Sequence, residues 1–208
     1  MSHNPKLTRR AFTAGALASA AVGQGALAQV SQTPMSVIGP FYPSGYRGET
    51  DADLTRIAGH AERAQGQIIE VMGRVRDRFG NPINGARLDI WQANTHGRYD
   101  HPQDSSDYPL DPNFQGFASI HTGTDGGWSM TTVKPGGYGQ GSDRRTPHIH
   151  VDVVGVDSRK ILQMYFPEEA EANAADQLYS YLSNAAPRST ATALGDNRYS
   201  WDIVLIEG

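Results

Sequence analysis

Short β-strand patterns separated by turn-rich segments dominate the chain from residue 66 onward. Most of the gaps between them are rich in Gly, Pro, Asn and Asp, the residue types that favour tight turns. Strand-like runs of β-branched and other apolar residues occupy 67–75, 86–93, 116–122, 127–133, 145–154, 160–166 and 201–206. Many short strands with such turns are typical of β-sandwiches. We therefore predict a mostly β fold, an antiparallel sandwich with an immunoglobulin- or transthyretin-like core.

Two long loops and one helical segment interrupt this pattern. The loops run from Asn94 to Gln115 and from Lys134 to Thr146. Loops of this length inside a compact domain usually carry function, so we expect active-site residues on them. The segment from Glu168 to Leu182 has apolar residues at helical spacing and an acidic start. It predicts one short helix whose packing face carries Ala170, Ala174, Leu178 and Leu182.

Composition limits the kind of site that the chain can build. The 208 residues are 38% hydrophobic, which suits one domain with a buried core, expected over residues 29–208. The chain has no cysteine, which excludes disulfides, thiolate metal sites and a cysteine nucleophile. Any metal must be held by His, Asp, Glu, Tyr or main-chain oxygen. The formal net charge of −4 argues against a nucleic-acid partner.

Residues 1–28 have the three parts of a signal peptide. A basic region with the pair Arg9-Arg10, followed by Phe12, precedes an Ala/Gly-rich apolar stretch and the sequence Ala26-Leu27-Ala28. The paired arginines predict the twin-arginine route, with cleavage after Ala28, and an ordinary secretion signal is the alternative. The apolar run is too short and too Gly-rich to span a bilayer. We expect an exported protein, periplasmic or secreted, with no membrane attachment after cleavage.

A His-x-His motif lies in the strand-like run 145–154. Side chains two residues apart on a strand share a face, so His148 and His150 stand side by side while Ile149 and Val151 face the other way. Such a pair can bind a metal, or it can be a hydrogen-bonded pair within a sheet. The motif alone does not distinguish the two.

Five motifs in fixed order narrow this choice. In chain order they are Trp91-Gln92-Ala93-Asn94, Gly97-Arg98-Tyr99, Asp111-Pro112-Asn113-Phe114, Lys134-Pro135-Gly136-Gly137-Tyr138 and Arg145-x-x-His148-x-His150. As a set they resemble the intradiol aromatic-ring-cleaving dioxygenases, in particular the protocatechuate 3,4-dioxygenase subgroup. The resemblance covers roughly residues 39–166.

The resemblance implies a ferric ion held by Tyr99, Tyr138, His148 and His150. Phenolates are hard, anionic ligands that suit a highly charged ion. Within the family's mechanism Tyr138 corresponds to the tyrosine that leaves the metal and takes a substrate proton, whereas Tyr99 stays. The implied reaction opens a catechol-type ring between its two hydroxyls with O2, which gives a cis,cis-muconate-type diacid.

Further residues take roles by the same resemblance. Arg145 corresponds to the catalytic arginine, where a fixed cation can stabilise an anionic intermediate. The neighbouring Arg144 is a competitor for that role. The alternative for Arg145 is a surface salt bridge without a catalytic role. Gln163 matches a glutamine near the substrate, while Phe41 and Tyr42 are expected to line the pocket. His96, His101 and His121 lie outside the matched ligand set and are expected to be structural.

One segment departs from the subgroup. Tyr138 is followed by Gly139 and Gln140 rather than by Pro and Trp, and only nine residues separate Tyr138 from His148. An aromatic wall of the pocket is therefore missing, and we expect the segment 139–147 to determine which catechol is bound. Because the subgroup pairs two related chains, we expect a homo-oligomer or pairing with a related chain.

Two other functions compete with this interpretation. The strand pattern also fits a non-enzymatic sandwich module that binds sugars or other partners, in which the tyrosines and histidines are incidental. A two-His-one-carboxylate Fe(II) oxygenase would instead use His148, His150 and Asp152. The two tyrosine motifs would then be unexplained.

Overall fold

The computed structural model describes Met1 and residues 29–207. Residues 2–28, nearly all of the predicted signal peptide, lie outside the described part. The strands in that part are β1 (Ile68–Arg76), β2 (Arg87–Trp91), β3 (Phe117–His121), β4 (Gly127–Val133), β5 (His148–Val154), β6 (Arg159–Tyr165), β7 (Thr192–Gly195), β8 (Arg198–Ser200) and β9 (Ile203–Val204). They form two sheets with a shared core, which confirms the predicted β-sandwich.

The first sheet has the strand order β4-β1-β8-β7, and β9 also pairs with β1. Strands β1 and β4 pair antiparallel along their length, whereas β8 and β9 lie parallel to β1. This sheet is therefore mixed, where an antiparallel one was expected. The β7–β8 hairpin was also not predicted. Its turn places Asp196 and Asn197 at φ +49° and +60°, the conformation that a tight hairpin turn needs.

The second sheet, in the order β3-β2-β5-β6, is antiparallel throughout. Its register places side chains from three strands in rows. Trp91 on β2 lies opposite His150 on β5, which lies opposite Gln163 on β6. In the next row, His148 lies opposite Tyr165. The two histidines predicted to bind a metal therefore lie at one end of this sheet, beside Trp91, Gln163 and Tyr165.

The core lies between the sheets and follows from strand alternation. On β5, Ile149, Val151 and Val153 face the core, so His148, His150 and Asp152 face outward. The inward side chains of the other strands complete the core, among them Val71, Leu88, Ile90, Trp128, Met130, Leu162 and Met164. This packing fixes the strand that carries the two histidines, since a slip of one residue would bury them in the core.

The predicted helix from Glu168 to Leu182 is broken at Asp176. A 3₁₀ turn (Pro167–Glu169) leads into α1 (Ala170–Ala175), and α2 (Gln177–Tyr181) continues into a second 3₁₀ segment (Ser183–Ser189). Asp176 itself is extended, with φ −78° and ψ 121°. The expected packing face is wrong at its first two positions, since Ala170 and Ala174 are exposed. The buried residues are instead Asn173 and Asp176, and both are polar.

The segment that precedes the first strand crosses the edge of both sheets. Thr33 exchanges two hydrogen bonds with Val204, through its amide and its hydroxyl. The Ser36 amide donates to the Ile161 carbonyl, and the buried Lys160 ammonium donates to Gln32 and to the Thr33 carbonyl. These bonds lead the chain to Gly39 and Phe41, beside the two histidines. Among the described residues no helix has the length and apolarity needed to cross a membrane.

Candidate metal centre

Both histidines of the motif are buried and neutral. His148 Nδ1 lies 2.7 Å from the Thr146 carbonyl oxygen, which can only accept, so Nδ1 carries the proton and Nε2 bears the lone pair. Burial, aided by the Arg145 cation, lowers the pKa of His148 to about 3. Burial also lowers the pKa of His150. Neutral imidazoles with a free nitrogen are the form that binds metals.

The two imidazoles converge on each other. Their Nε2 atoms lie 3.2 Å apart. The ring of His150 is stacked against Trp91, with centroids 4.7 Å apart and planes 10° from parallel. The indole therefore fixes the plane of this imidazole, and the Thr146 carbonyl fixes that of His148.

Tyr99 reaches the histidines from the first long loop. Asn94 shapes that loop, because its side-chain oxygen accepts from the amides of His96 and Arg98. The Tyr99 amide then donates to the Asp104 carboxylate at 2.8 Å. Gly97 has φ +85°, and a Cβ there would lie 2.5 Å from the Gly137 carbonyl oxygen. A glycine is thus needed where the two tyrosine loops cross.

Tyr138 is held by the second loop. Its amide and carbonyl exchange hydrogen bonds with the carbonyl and amide of Arg145, at 3.1 and 2.7 Å. This bridge closes the segment between the two residues into a short loop with a 3₁₀ turn at Gly141–Asp143. The short spacing noted in the sequence therefore brings Tyr138 and Arg145 together at the base of one loop.

The four predicted ligands form one cluster. Ring centroids are 5.6 Å apart for Tyr99 and Tyr138, 6.4 Å for Tyr99 and His150, and 5.6 Å for Tyr138 and His148. The Tyr99 hydroxyl is buried with no hydrogen-bond partner among the described residues. A buried polar atom without a partner is uncommon and points to a missing ligand or ion.

Their chemistry fits a hard, highly charged cation. Burial raises the pKa of Tyr99, and neighbouring Tyr138 raises it further. Burial also raises the pKa of Tyr138, while the Arg145 guanidinium opposes that shift. Both phenols are therefore protonated unless a bound cation favours their ionised form. Two phenolates and two neutral imidazoles form a donor set suited to ferric iron.

Arg145 lies beside this cluster and is held from two sides. Its Nε donates to Asp176 at 2.8 Å, and one terminal nitrogen donates to Gln163 Oε1 at 2.6 Å. The same oxygen of Gln163 accepts from the Tyr165 hydroxyl at 2.8 Å. Arg145 precedes the His-x-His motif in the chain and Gln163 follows it. The structure thus brings these two predicted site residues into direct contact. Arg144 is exposed on the adjoining loop.

Comparison with known proteins shows which family the chain belongs to. The sequence model of a family described as Dioxygenase matches residues 37–207. The chain belongs to the intradiol dioxygenase family. It is 41% identical over 133 residues to the protocatechuate 3,4-dioxygenase beta chain of Burkholderia cepacia, covering 62% of this chain and 57% of that one. It is 30% identical over 186 residues to the alpha chain of the Pseudomonas putida enzyme, covering 83% of this chain and 90% of that one.

A solved structure supports the same assignment. The dioxygenase domain of a carbohydrate-binding fusion protein from Streptomyces sp. SirexAA-E superposes with a TM-score of 0.64 and 26% identity, covering 86% of this chain and all of that one. Membership of the intradiol dioxygenase family favours an enzyme over the non-enzymatic binding module.

The Fe(II) alternative with Asp152 fails on geometry. Asp152 is fully buried and binds the Arg159 guanidinium with two oxygens, at 2.9 and 2.6 Å. In the part of the chain that the structure describes, no group of three His, Asp or Glu residues is arranged to hold a metal. Asp152 is therefore paired with Arg159 and is not grouped with His148 and His150 as a third metal ligand.

An open cleft of about 320 Å³ leads to Tyr138 and Arg145. Its other walls are Tyr108 from the first long loop, the segment 144–147, and Glu169 with Ala172 from the helical region. A separate cavity of about 30 Å³ behind Tyr99, bounded by Phe41, Trp91 and Phe117, is too small for an aromatic ring. Of the four predicted ligands, Tyr138 is the one that lines the first cleft, so we expect a catechol to approach the cluster from this side.

The predicted pocket residues Phe41 and Tyr42 lie in different places. Phe41 packs over the cluster, with its ring centroid 4.6 Å from that of Tyr99 and 6.2 Å from that of Tyr138. Tyr42 instead packs edge-on against Trp91, at 5.1 Å. Burial raises its pKa, and the nearby carboxylate of Asp89 adds to the shift. Substrate contact by either residue stays a prediction.

Gly39 is a tight point of the cluster and allows a test. Its φ is +74°, and a Cβ there would lie 3.4 Å from His150 Cε1. Gly45 has a similar φ of +85°, but nothing lies within 4 Å of its Cβ position. We expect Gly39→Ala and Gly45→Ala to lose about 1–2 kcal/mol of unfolding free energy each through backbone strain. Only Gly39→Ala also brings a methyl group into contact with the His150 imidazole, so we expect lower iron binding in this variant alone.

The measurements are urea unfolding midpoints and iron content of the two variants, side by side. Equal iron content in both would show that Gly39 does not constrain His150.

Several residues that build the site carried no functional prediction. Asp104, Thr146, Asn173 and Asp176 hold the two loops through hydrogen bonds. Asp104 accepts from the Tyr99 amide, Asp176 accepts from Arg145 and the Thr146 amide, and Asn173 accepts from the Thr146 hydroxyl. The only sequence signal was weak: Asp176 resembles an ordinary helix N-cap, which it also is. The hydrogen bonds of Asn173 and Asp176 join residues about 30 positions apart in the chain, so no local sequence pattern predicts them.

Proposed function

We propose that this chain is a non-haem Fe(III) intradiol dioxygenase that cleaves a catechol-type ring between its hydroxyls. The products would be cis,cis-muconate-type diacids, with both atoms of O2 incorporated. One observation carries the proposal: Tyr99, Tyr138, His148 and His150, from two loops and one strand, converge in a buried cluster in which the Tyr99 phenol has no hydrogen-bond partner among the described residues. Family membership supports the reaction class.

Ferric iron in this site would bind both hydroxyls of a catechol and make the ring reactive toward O2. The chain's own residues account for orientation and proton transfer. Tyr138 borders the open cleft and lies next to Arg145, so its phenolate is the one that an arriving catechol can displace. The freed phenolate would accept a hydroxyl proton of the substrate, and the buried Tyr99 would stay in place.

Arg145 and Gln163 supply polar groups at the reacting face. The guanidinium is charged throughout the physiological pH range and is held next to Tyr138 by two hydrogen bonds. It would stabilise negative charge that develops on the ring, because a cation already in place needs no reorganisation. Phe41 covers the cluster and would exclude water from it.

The proposal is tested on the purified protein with iron. We expect about one iron per chain, a visible colour from phenolate-to-Fe(III) charge transfer, and oxygen uptake with at least one catechol. The panel is catechol, protocatechuate, hydroxyquinol and a bulkier catechol. A colourless protein with stoichiometric iron would contradict the proposal. Which substrate is preferred depends on the segment 139–147, where the expected aromatic wall is replaced by Gly139 and Gln140.

We also propose that the chain associates with itself or with a related chain. Its relatives include both an alpha and a beta chain of protocatechuate 3,4-dioxygenase, which is consistent with pairing. Size-exclusion chromatography with light scattering, on the chain expressed alone, tests this. A strictly monomeric and fully active protein would contradict it.

We propose, finally, that residues 1–28 direct export by the twin-arginine route. The basis is the Arg9-Arg10 pair, the apolar stretch and the Ala26-Leu27-Ala28 site. Replacing both arginines with lysine should keep the protein in the cytoplasm, as cell fractionation would show. N-terminal sequencing of exported protein should begin at Gln29.

A further inference from the structure

Asp176 is the most heavily bonded buried carboxylate near the cluster. The exposed fraction of Asp176 is only 1%. One oxygen, Oδ2, accepts from Arg145 Nε at 2.8 Å and from the Thr146 amide at 3.0 Å. The other, Oδ1, accepts from the amides of Leu178 and Tyr179, at 2.8 and 3.2 Å. All four partners are donors, so the site requires an ionised carboxylate or another group that accepts on both sides.

The helical region is interrupted at the residue that makes these bonds. The chain leaves the helical conformation at Asp176, between α1 and α2, which lets the carboxylate turn toward the loop that carries Arg145. Asn173, one turn earlier, supports the same loop, because its Oδ1 accepts from the Thr146 hydroxyl at 2.9 Å. The break therefore serves contacts to the loop as well as the capping of α2.

The opposite side of the guanidinium is also fixed. The Arg145 side chain is only 14% exposed. Its contact Gln163 is itself fully buried, and donates through Nε2 to the Val37 carbonyl at 3.2 Å. Arg145 is thus clamped between Asp176 and Gln163, with Tyr138 on the cleft side. Without the carboxylate, the guanidinium would lose both its counter-charge and its Nε acceptor.

We propose that Asp176 is a positioning residue that holds the Arg145 guanidinium at the reacting face of the site. It acts through the arginine, because its hydrogen bonds go to Arg145, Thr146, Leu178 and Tyr179 and not to the four predicted ligands. It also fixes Thr146, whose carbonyl sets the tautomer of His148. This inference rests on the proposed function.

The test is Asp176→Asn, which keeps the shape but offers only one accepting atom. Either the helix amides or Arg145 Nε and the Thr146 amide must then face an NH2 group. We expect kcat with the preferred catechol to fall at least tenfold while KM changes less than threefold. The visible absorption of the resting iron protein should persist, because all four ligands remain.

A double-mutant cycle separates positioning from a general loss of structure. If Asp176 acts through Arg145, adding Asp176→Asn to Arg145→Ala should lower kcat no further. Independent, multiplicative losses would overturn the proposal. Asp176→Ser is the second variant, should Asp176→Asn not fold, because serine caps a helix but is too short to reach Arg145.

Crystal structures of the variants give a readout that does not depend on activity. In Asp176→Asn or Asp176→Ser we expect the guanidinium to leave hydrogen-bond distance of Gln163 Oε1. An unmoved guanidinium would overturn the positioning role. If the iron-loaded wild type opens no catechol in the panel, the proposed function fails, and the crystal structures still decide whether Asp176 positions Arg145.

Discussion

Replacing Tyr99 or Tyr138 with phenylalanine will remove oxygen uptake with catechols and change the visible spectrum of the iron protein. Each substitution deletes one anionic donor from a cluster of two phenols and two imidazoles. If the site holds ferric iron as proposed, a single phenolate would bind it less tightly and one charge-transfer transition would be lost. We expect activity at the background of the assay and reduced iron content in both variants.

Tyr99→Phe gives the sharper result because its hydroxyl has no partner among the described residues. Removing a buried hydroxyl that makes no hydrogen bond costs little folding free energy, or none. The metal-free variant should therefore unfold within about 1 kcal/mol of the wild type. Loss of function with unchanged stability would assign the phenol to metal binding rather than to packing.

The matched control is Tyr181→Phe, at a residue that is 87% exposed at the end of α2. It should leave colour, iron content and oxygen uptake unchanged. For the imidazoles, His150→Ala should abolish activity, and His121→Ala, at an exposed position of the same sheet, should not. Full activity of Tyr99→Phe and Tyr138→Phe would contradict the ferric site.

The four residues of the cluster could be chosen from the sequence for two different reasons, and their role as metal ligands stays a prediction. His148 and His150 share a face by strand geometry alone, and that face is outward because Ile149 and Val151 must be buried. The tyrosines needed the family resemblance, since nothing local distinguishes Tyr99 or Tyr138 from a packing residue. Their convergence depends on two loops crossing at Gly97, which is a contact between distant segments.

The clamp around Arg145 could not be predicted for the same reason. The helical periodicity of residues 168–182 suggested a continuous apolar face, yet Asn173 and Asp176 are the residues that are buried. Their partners lie about 30 residues earlier in the chain, on the loop after Tyr138. Tertiary hydrogen bonds overrode the local helical pattern at Asp176, as they can wherever a buried charge needs a partner. The parallel pairing of β1 with β8 likewise has no local signature.

Arg145→Ala is expected to lower kcat by about 10²–10³, the loss typical when one donor that stabilises developing negative charge is removed. KM should change less, since the residues that would hold the iron, to which the substrate hydroxyls would bind, remain. The truncation also leaves Asp176 buried without its counter-charge, so the variant should lose roughly 3–5 kcal/mol of stability. Assays are therefore run well below its unfolding temperature, with iron content measured alongside.

Arg145→Lys separates charge from geometry. Lysine keeps a cation near Asp176 but is a compact ammonium without the planar fork that joins Asp176 to Gln163. We expect stability close to the wild type and a kcat between those of the wild type and of Arg145→Ala. A kcat equal to the wild type would mean that only the charge matters.

Arg144→Ala decides between the two neighbouring arginines. Arg144 is exposed at the mouth of the cleft, where it can affect binding of a substituted catechol and hence KM. Arg198→Ala, on the other sheet, removes only a surface pair with Glu70 and should leave both kinetic constants unchanged. A larger loss of kcat in Arg144→Ala than in Arg145→Ala would transfer the catalytic role to Arg144. The buried clamp predicts the opposite order, because only Arg145 is fixed in place before the substrate arrives.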